Sequence, residues 1–238
     1  MREIQELRGS LAELQASQQV SSEQLQQFLY AASHDLQEPL RGIITYAQLL
    51  DRHAAADPVA HEYTTFVLGG AFKMRELLQH LLIYSRAGSS KQRRLLNLDV
   101  PLQMALLKLA PEIKACGAQI IRHPMPEAIA NEVEIAQVFE NILSNSLKFH
   151  STAPLQIVVA AEEGNSECLV TISDNGLGVD PRHCDQIFMP FKRLHGNLFP
   201  GSGLGLAIAD KILRAHQGRI KLESDGQHGT TVSFTLPV

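Results

Sequence analysis

Long hydrophobic runs are missing from this chain. Nothing approaches the ~18 to 20 consecutive apolar residues that a membrane-spanning helix needs, and the polar start Met1-Arg2-Glu3-Ile4-Gln5 is unlike a signal peptide. A soluble, cytoplasmic chain is therefore expected. Cysteine is scarce: Cys116, Cys168 and Cys184 are odd in number and lack metal-like spacing, which fits buried, reduced thiols. A large excess of one charge is also lacking. With 21 Lys and Arg against 25 Asp and Glu, the net charge of -4 offers no general attraction to nucleic acid or acidic membrane, and nucleic acid is not an expected partner. There is no repeat at solenoid periods and no low-complexity tract beyond the Gln/Ser-rich segment Ser17 to Gln27, which still fits a helix. What is present is an ordinary globular composition, 45% hydrophobic over 238 residues, long enough for two modest domains with a real core.

The stretch Ala31-Ala32-Ser33-His34-Asp35-Leu36-Gln37-Glu38-Pro39-Leu40-Arg41 organises the first part of the chain. Apolar positions at Ile4, Leu7, Leu11, Leu14, Leu25, Phe28 and Ala32 are spaced for a seam against another helix, with polar residues at Gln18 and Ser21 weakening it. On that register His34 faces solvent. Pro39 cannot donate to the carbonyl of Asp35, so a bend is expected there. A neutral imidazole is a competent nucleophile near pH 7, and Asp35 is placed to orient it or to take its proton. Taken alone, such a pair is weak evidence and reads more readily as a solvated polar face.

The helix should continue through Ile43, Ile44, Ala47, Leu49 and Leu50 to about His53. A break at Ala54 to Pro58 follows, with Asp57 a cap and Pro58 the first helical position of a second helix ending near Arg86. Two such hairpins bury their apolar faces by packing as a four-helix bundle, which implies a homodimer. The expected domains are a coiled-coil helix over 1–20, the helical hairpin over 21–88, a linker over 89–94 and a second domain over 95–238. In that domain strands are expected at Leu95 to Leu98, Ala118 to Ile121, Ala128 to Ala130, Leu155 to Ala161, Cys168 to Ser173, Arg219 to Glu223 and Thr230 to Leu236. Helices are expected at Val100 to Cys116, Glu132 to Phe149 and Leu204 to His216. This order gives one layer of helices on a mixed sheet, a two-layer α/β sandwich.

On the helix Glu132 to Phe149, Gln137, Asn141, Asn145 and Lys148 fall in one narrow stripe, while Ile135, Val138, Phe139, Ile142, Leu143, Leu147 and Phe149 cover most of the remainder. A helix so apolar is largely buried, and its amides must face something polar. A polar network in the core or a solvated edge meets that need; so does a magnesium nucleotide, through amide oxygen to metal and Lys to phosphate. Ser173-Asp174-Asn175-Gly176-Leu177-Gly178-Val179 then ends a strand with a carboxylate, which suits an exocyclic amine such as adenine's, and with glycines that admit close approach. Aromatics and cations follow at Phe188, Phe191, Lys192 and Arg193, ahead of a lid-like stretch, Gly196 to Gly201. Gly201-Ser202-Gly203-Leu204-Gly205 opens a helix, a ready phosphate site.

In combination and order these segments resemble the catalytic core of sensor histidine kinases, in the variant with HDLQEPLR around the acceptor histidine that is common in phytochrome-like members. From about Leu95 to Val238 the chain resembles the ATP-binding domain that these kinases share with gyrase-type topoisomerases, mismatch-repair ATPases and heat-shock chaperones. The resemblance implies ATP and Mg²⁺ as cofactors, with Asn145 the metal ligand, Asn141 a second polar partner and Lys148 and Phe149 beside them. It places Asp174 on the adenine amine with Gly176 and Gly178. It assigns Phe188, Phe191, Lys192 and Arg193 to the aromatic box, and Gly201, Gly203, Leu204 and Gly205 to the second glycine box. Thr230 belongs to the last box.

The implied reaction is transfer of the γ-phosphoryl to His34, with Asp35 assisting as base or by orienting the ring. The phosphoryl then passes to an aspartate of a response-regulator receiver domain docking near Arg41 to Gln48. Arg193 or His195 would help neutralise charge, and input would come from an upstream sensory domain or partner. Many such kinases carry Thr or Asn four residues after the histidine; here it is Glu38, which would repel an acyl phosphate and puts phosphatase activity in question. Two rivals are a catalytically silent nucleotide-binding scaffold and an ATP-hydrolysing machine. Against the second, Asn141 stands where those machines commonly hold a water-activating Glu, and they lack the HDLQEP helix.

Overall fold

The computed structural model describes residues 30–53, 57–151, 153–194, 199 and 201–238. The expected coiled coil over 1–20, the seam from Ile4 to Phe28 and His195 lie outside them. The chain divides between Arg86 and Ala87 into two compact units.

The first unit is a pair of helices, α1 described over 30–53 and α2 over Pro58–Arg86. Pro39 sits inside α1 without ending it. Asp57 caps α2, its Oδ1 accepting from the N–H groups of Val59 at 3.0 Å and Ala60 at 3.4 Å, and Pro58 takes the first helical position. Leu40 and Ile44 of α1 pack with Ala71 of α2, and Leu68 and Leu78 join them. Near the turn Asp51 accepts from the Thr64 hydroxyl at 2.6 Å and meets His61 Nδ1 at 2.7 Å, tying the helices together across the gap. The Arg86 guanidinium lies over the Tyr30 ring, 4.5 Å from its centre.

In the second unit, β1 (Arg94–Asn97) pairs antiparallel with β3 (Glu127–Ala130) as a separate two-stranded sheet. The main sheet has five strands in the order β2 (Gln119–Arg122), β4 (Gln156–Glu163), β5 (Glu167–Asp174), β7 (Thr230–Pro237), β6 (Ile220–Glu223). Only β2 and β4 run parallel; the remaining pairs are antiparallel. Helices α3 (Asp99–Lys108), α4 (Ala110–Cys116), α5 (Glu132–Lys148) and α6 (Gly205–Ala215) complete the sandwich. Period-two burial on the strands puts Ile157 and Val159, then Cys168, Val170 and Ile172, then Val232, Phe234 and Leu236 inside. Phe139 of α5 meets Phe234 edge to face, ring centres 5.6 Å apart.

Three features differ from the expected outline. The helix expected over Val100 to Cys116 is two helices broken at Leu109, because Pro111 has no N–H to continue the ladder. The strands form two sheets rather than one. And the segment 89–94, which composition marks as a linker, is bonded to the second unit: Ser90 N–H donates to Glu134 Oε1 at 3.3 Å, while Asn131 Nδ2 donates to Ser90 Oγ and to the Gln92 carbonyl, each at 2.9 Å.

Candidate active site

Two places hold chemistry, one in each unit. On α1 the His34 side chain is 71% exposed, and its Nδ1 lies 3.2 Å from Asp35 Oδ1. With Nδ1 protonated and donating to Asp35, the ring's free lone pair is on Nε2.

The second place is built on α5. Asn131 caps it, its side-chain oxygen accepting from Glu134 N–H at 3.0 Å, and the apolar face from Ile135 to Leu147 is buried in the sandwich. That packing orients the polar stripe: Gln137, Asn141 and Asn145 are half-buried and Lys148 is exposed. Asn141 Nδ2 is buried with no hydrogen-bond partner among the described residues. Its Oδ1 lies 3.4 Å from where a Cβ on Gly205 would stand, so it faces the first residue of α6. Lys148 Nζ is 3.9 Å from the corresponding point on Gly201. The N-terminus of α6 has no side-chain cap, which leaves its first-turn N–H groups for an anionic ligand. Asn141, Lys148, Gly201 and Gly205 are thus brought together.

At the end of β5, Asp174 is fixed from three sides. Its Oδ2 accepts from the Ser146 hydroxyl at 2.7 Å, and its Oδ1 from the N–H groups of Gly176 at 2.9 Å and Thr230 at 3.2 Å. An ionised carboxylate offers about four acceptor sites, so Oδ2 keeps one for a ligand. Gly229 makes this possible: a Cβ there would stand 1.9 Å from the Asp174 carbonyl oxygen, so only glycine admits the approach. Gly176 lies against the Phe149 carbonyl, which accepts from Leu177 N–H at 2.9 Å, and the Phe149 ring meets Phe199 edge to face at 5.0 Å.

Phe188 is half-buried in a short turn packed on α6, whereas Phe191 is 55% exposed and holds a left-handed backbone, φ 63°. Its N–H donates to the Gly203 carbonyl at 2.9 Å, joining the aromatic segment to the glycine loop. Lys192 is exposed, and Arg193 Nη2 donates to the Phe199 carbonyl at 2.6 Å. Two expected site residues take different roles. Leu204 is fully buried, so its side chain belongs to the core and only its main chain borders the site. Thr230 acts through its N–H on Asp174. Ser146 went unnoticed in the sequence because it lies among the apolar positions of α5; a hydroxyl there was the available signal.

One unit is thus an α/β sandwich with an anion-ready helix terminus and the other a helical pair carrying an exposed histidine, and family comparisons agree with both. Residues 130–238 match the family described as histidine kinase-, DNA gyrase B- and HSP90-like ATPases, and residues 24–90 match the His Kinase A phospho-acceptor domain. The chain thus carries a phospho-acceptor domain and a histidine kinase-type ATPase domain, and its relatives include phytochrome-type and other sensor histidine kinases. Cyanobacterial phytochrome A of Nostoc sp. is 38% identical over 232 residues, covering 96% of this chain and 30% of the relative. The phytochrome-like protein Cph1 of Synechocystis sp. is 34% identical, covering 96% and 31%. The chain therefore spans under a third of the length of these relatives. Full-length ShkA, solved in complex with AMPPNP, shares the fold at a TM-score of 0.68 and 23% identity, over 89% of this chain and 45% of that one. No helix among the described residues is long and apolar enough to cross a membrane.

Proposed function

We propose that this chain is the phosphoryl-transfer core of a cytoplasmic two-component sensor: it binds ATP with Mg²⁺, phosphorylates His34 and passes the phosphoryl group to an aspartate of a response-regulator receiver domain. The observation that carries the reading is Asn141, whose buried Nδ2 has no hydrogen-bond partner among the described residues and whose Oδ1 borders Gly205 at the uncapped start of α6. A buried amide left without a partner costs on the order of 1 to 3 kcal/mol, and a polyphosphate at the α6 terminus would remove that cost. ShkA's complex with AMPPNP, in a chain of the same fold, supports an adenine nucleotide as the ligand.

The donor set fits Mg²⁺. Asn145 would offer one amide oxygen, with phosphate and water completing the shell. Bound there, the ion would neutralise phosphate charge and align the γ-phosphoryl. Lys148 and the α6 N–H groups would hold phosphate oxygens, with Lys192 and Arg193 on the adjoining segment, and Asp174 would accept from the adenine amine. His34 Nε2 would attack the γ-phosphorus; the Nε2–P bond forms as the bond to the β-phosphate oxygen breaks, and ADP leaves. Asp35 would hold the Nδ1 proton and orient the ring.

The domains follow as a hairpin over 21–88 and an ATP-binding domain over 95–238. Because 89–94 is bonded into the second unit, the hinge lies N-terminal to it, near the division at Arg86 and Ala87. The exposed apolar side chains of the hairpin, Tyr46 at 75% and Phe66 at 85% among them, support a homodimer in which two hairpins form a four-helix bundle. Input would arrive from an upstream sensory domain or partner through the first helix.

The test is incubation of purified protein with Mg²⁺ and γ-labelled ATP, comparing wild type with His34→Gln and Asn145→Ala. Acid-labile, base-stable label is expected in wild type. Incorporation should fall to background in His34→Gln and by about a hundredfold or more in Asn145→Ala. ATP binding without label would overturn the kinase reading, and phosphate release independent of His34 would replace it with an ATPase.

A further inference from the structure

The loop between β6 and β7, 224–229, folds back onto the glycine loop that follows β5, and one hydroxyl makes the join. Ser224 Oγ donates to the Gly229 carbonyl at 2.6 Å and accepts from the N–H groups of Val179 at 2.9 Å and Gly226 at 3.3 Å. A serine hydroxyl has one proton and two lone pairs, so its whole hydrogen-bonding capacity is spent on three backbone groups from two loops. The approach is close: at Gly178, φ 75°, a Cβ would stand 3.1 Å from Ser224 Oγ and 2.9 Å from the Gln227 nitrogen.

Both ends of this join lead to Asp174. Gly229, held by Ser224, is the residue whose α-carbon sits against the Asp174 carbonyl, and the next residue, Thr230, donates its N–H to Asp174 Oδ1. Val179, also held by Ser224, closes the loop whose Gly176 N–H donates to the same oxygen. Of the three donors that orient the carboxylate, Thr230 thus adjoins one residue tied to Ser224, and Gly176 shares a short loop with another. The 224–229 turn is itself braced by Asp225, whose Oδ1 accepts from Gln227 and His228 N–H at 2.8 Å each, so it is a firm base for the join.

We propose that Ser224 is a positioning residue for base recognition: its hydroxyl sets the 175–180 loop and Gly229 at the distance that leaves Asp174 aimed at the exocyclic amine of adenine. This rests on reading the second unit as an adenine-nucleotide site. Ser224 touches no part of the nucleotide and acts through Val179 and Gly229. Its removal leaves two N–H groups and a carbonyl without their partner, which loosens the loop and blunts discrimination between an amino and an oxo substituent at the base.

The experiment is equilibrium titration of the full chain with ADP and with GDP for wild type, Ser224→Ala and Ser224→Thr, together with thermal unfolding and the KM and kcat of ATP-dependent autophosphorylation. Ser224→Ala should weaken ADP binding about tenfold and raise the KM for ATP by a similar factor. GDP binding and kcat at saturating ATP should change by less than about twofold, and Ser224→Thr, which keeps the hydroxyl, should restore ADP affinity. Unchanged ADP affinity in Ser224→Ala, or an equal loss for both nucleotides, overturns this inference alone. A wild-type protein that binds no adenine nucleotide overturns the functional reading and this inference with it. Should Ser224→Ala not fold, hydrogen exchange on wild type decides: protection of the Val179 amide comparable to β7 supports the join, and exchange at the rate of an unstructured peptide overturns it.

Discussion

The hairpin and the α/β unit treat their apolar residues in opposite ways. In the α/β unit Phe139, Phe234, Leu102, Ile135, Ile142, Leu143 and Ile172 are at most 1% exposed, and the helical layer and the sheet close over them. Among the described residues of the hairpin the buried hydrophobic ones are few, Leu40, Ile44, Ala47 and Ala71, whereas Tyr46, Tyr63 and Phe66 are 66% to 85% exposed. Two helices have only one mutual face, so apolar residues that occupy more than one stripe are not all covered by the α1–α2 contact. The α/β unit closes over its own core, whereas the hairpin leaves large apolar side chains outside its helix–helix contact, which is the basis of the proposed homodimer.

That contrast can be broken most directly in the sandwich core. Phe139→Ala should cost the α/β unit about 3 to 5 kcal/mol, through lost transfer and a cavity beside Phe234. Hairpin helicity should survive, so circular dichroism should show the two transitions separating. A smaller effect is expected from Phe66→Glu, which puts a charge on the exposed hairpin face. Sedimentation should shift from dimer to monomer, while the α/β transition moves by less than about 0.5 kcal/mol. A dimer that survives would show that this face is not the covered one.

The smallest effect lies in pH, and its window differs between the units. His216 is fully buried; its Nδ1–H donates to the Ile212 carbonyl at 2.8 Å and its Nε2 accepts from Asn131 N–H at 3.1 Å, an arrangement that needs the neutral ring. Burial pushes its pKa below the ordinary histidine value, aided by Arg93 and opposed by the Ile212 hydrogen bond and by Glu134. The unfolded chain then binds the proton more readily than the folded one, so the contribution is intact above about pH 6.5 and is lost as pH falls below it. In the hairpin, the Thr64 hydroxyl and His61 hold Asp51 below the usual carboxylate range, so that contribution persists until pH falls below about 4. Between about pH 7 and 5 the α/β midpoint should drop while the hairpin holds, and His216→Gln should flatten the first trend.

The polar stripe on α5 was legible in the amino-acid sequence. The stripe Asn141, Asn145, Lys148 stands out because a helix has one period, and any polar residue that breaks an apolar pattern at that period must face something other than the core. The Asp57 cap and Pro58 start were legible for the same local reason. What escaped depends on partners far along the chain. Ser146 lies 28 residues from the Asp174 it holds, and Ser90 lies 41 and 44 residues from the Asn131 and Glu134 that bind it, so the Gly/Ser-rich segment read as a free linker. That β1 leaves the main sheet to pair with β3 is likewise a choice among edges that no local pattern encodes.

By itself the amino-acid order determined the helices, the strands and the chemistry available on each, because periodicity, caps and glycine are read within a few residues. Tertiary structure alone decided which donors meet. Asp174 received its Ser146, Gly176 and Thr230 partners, and Ser224 its place between two loops, only when strands distant in sequence were paired side by side. Long-range pairing sets geometry to within an ångström, and hydrogen bonds, which fail beyond about 3.5 Å, exist only once that geometry is set.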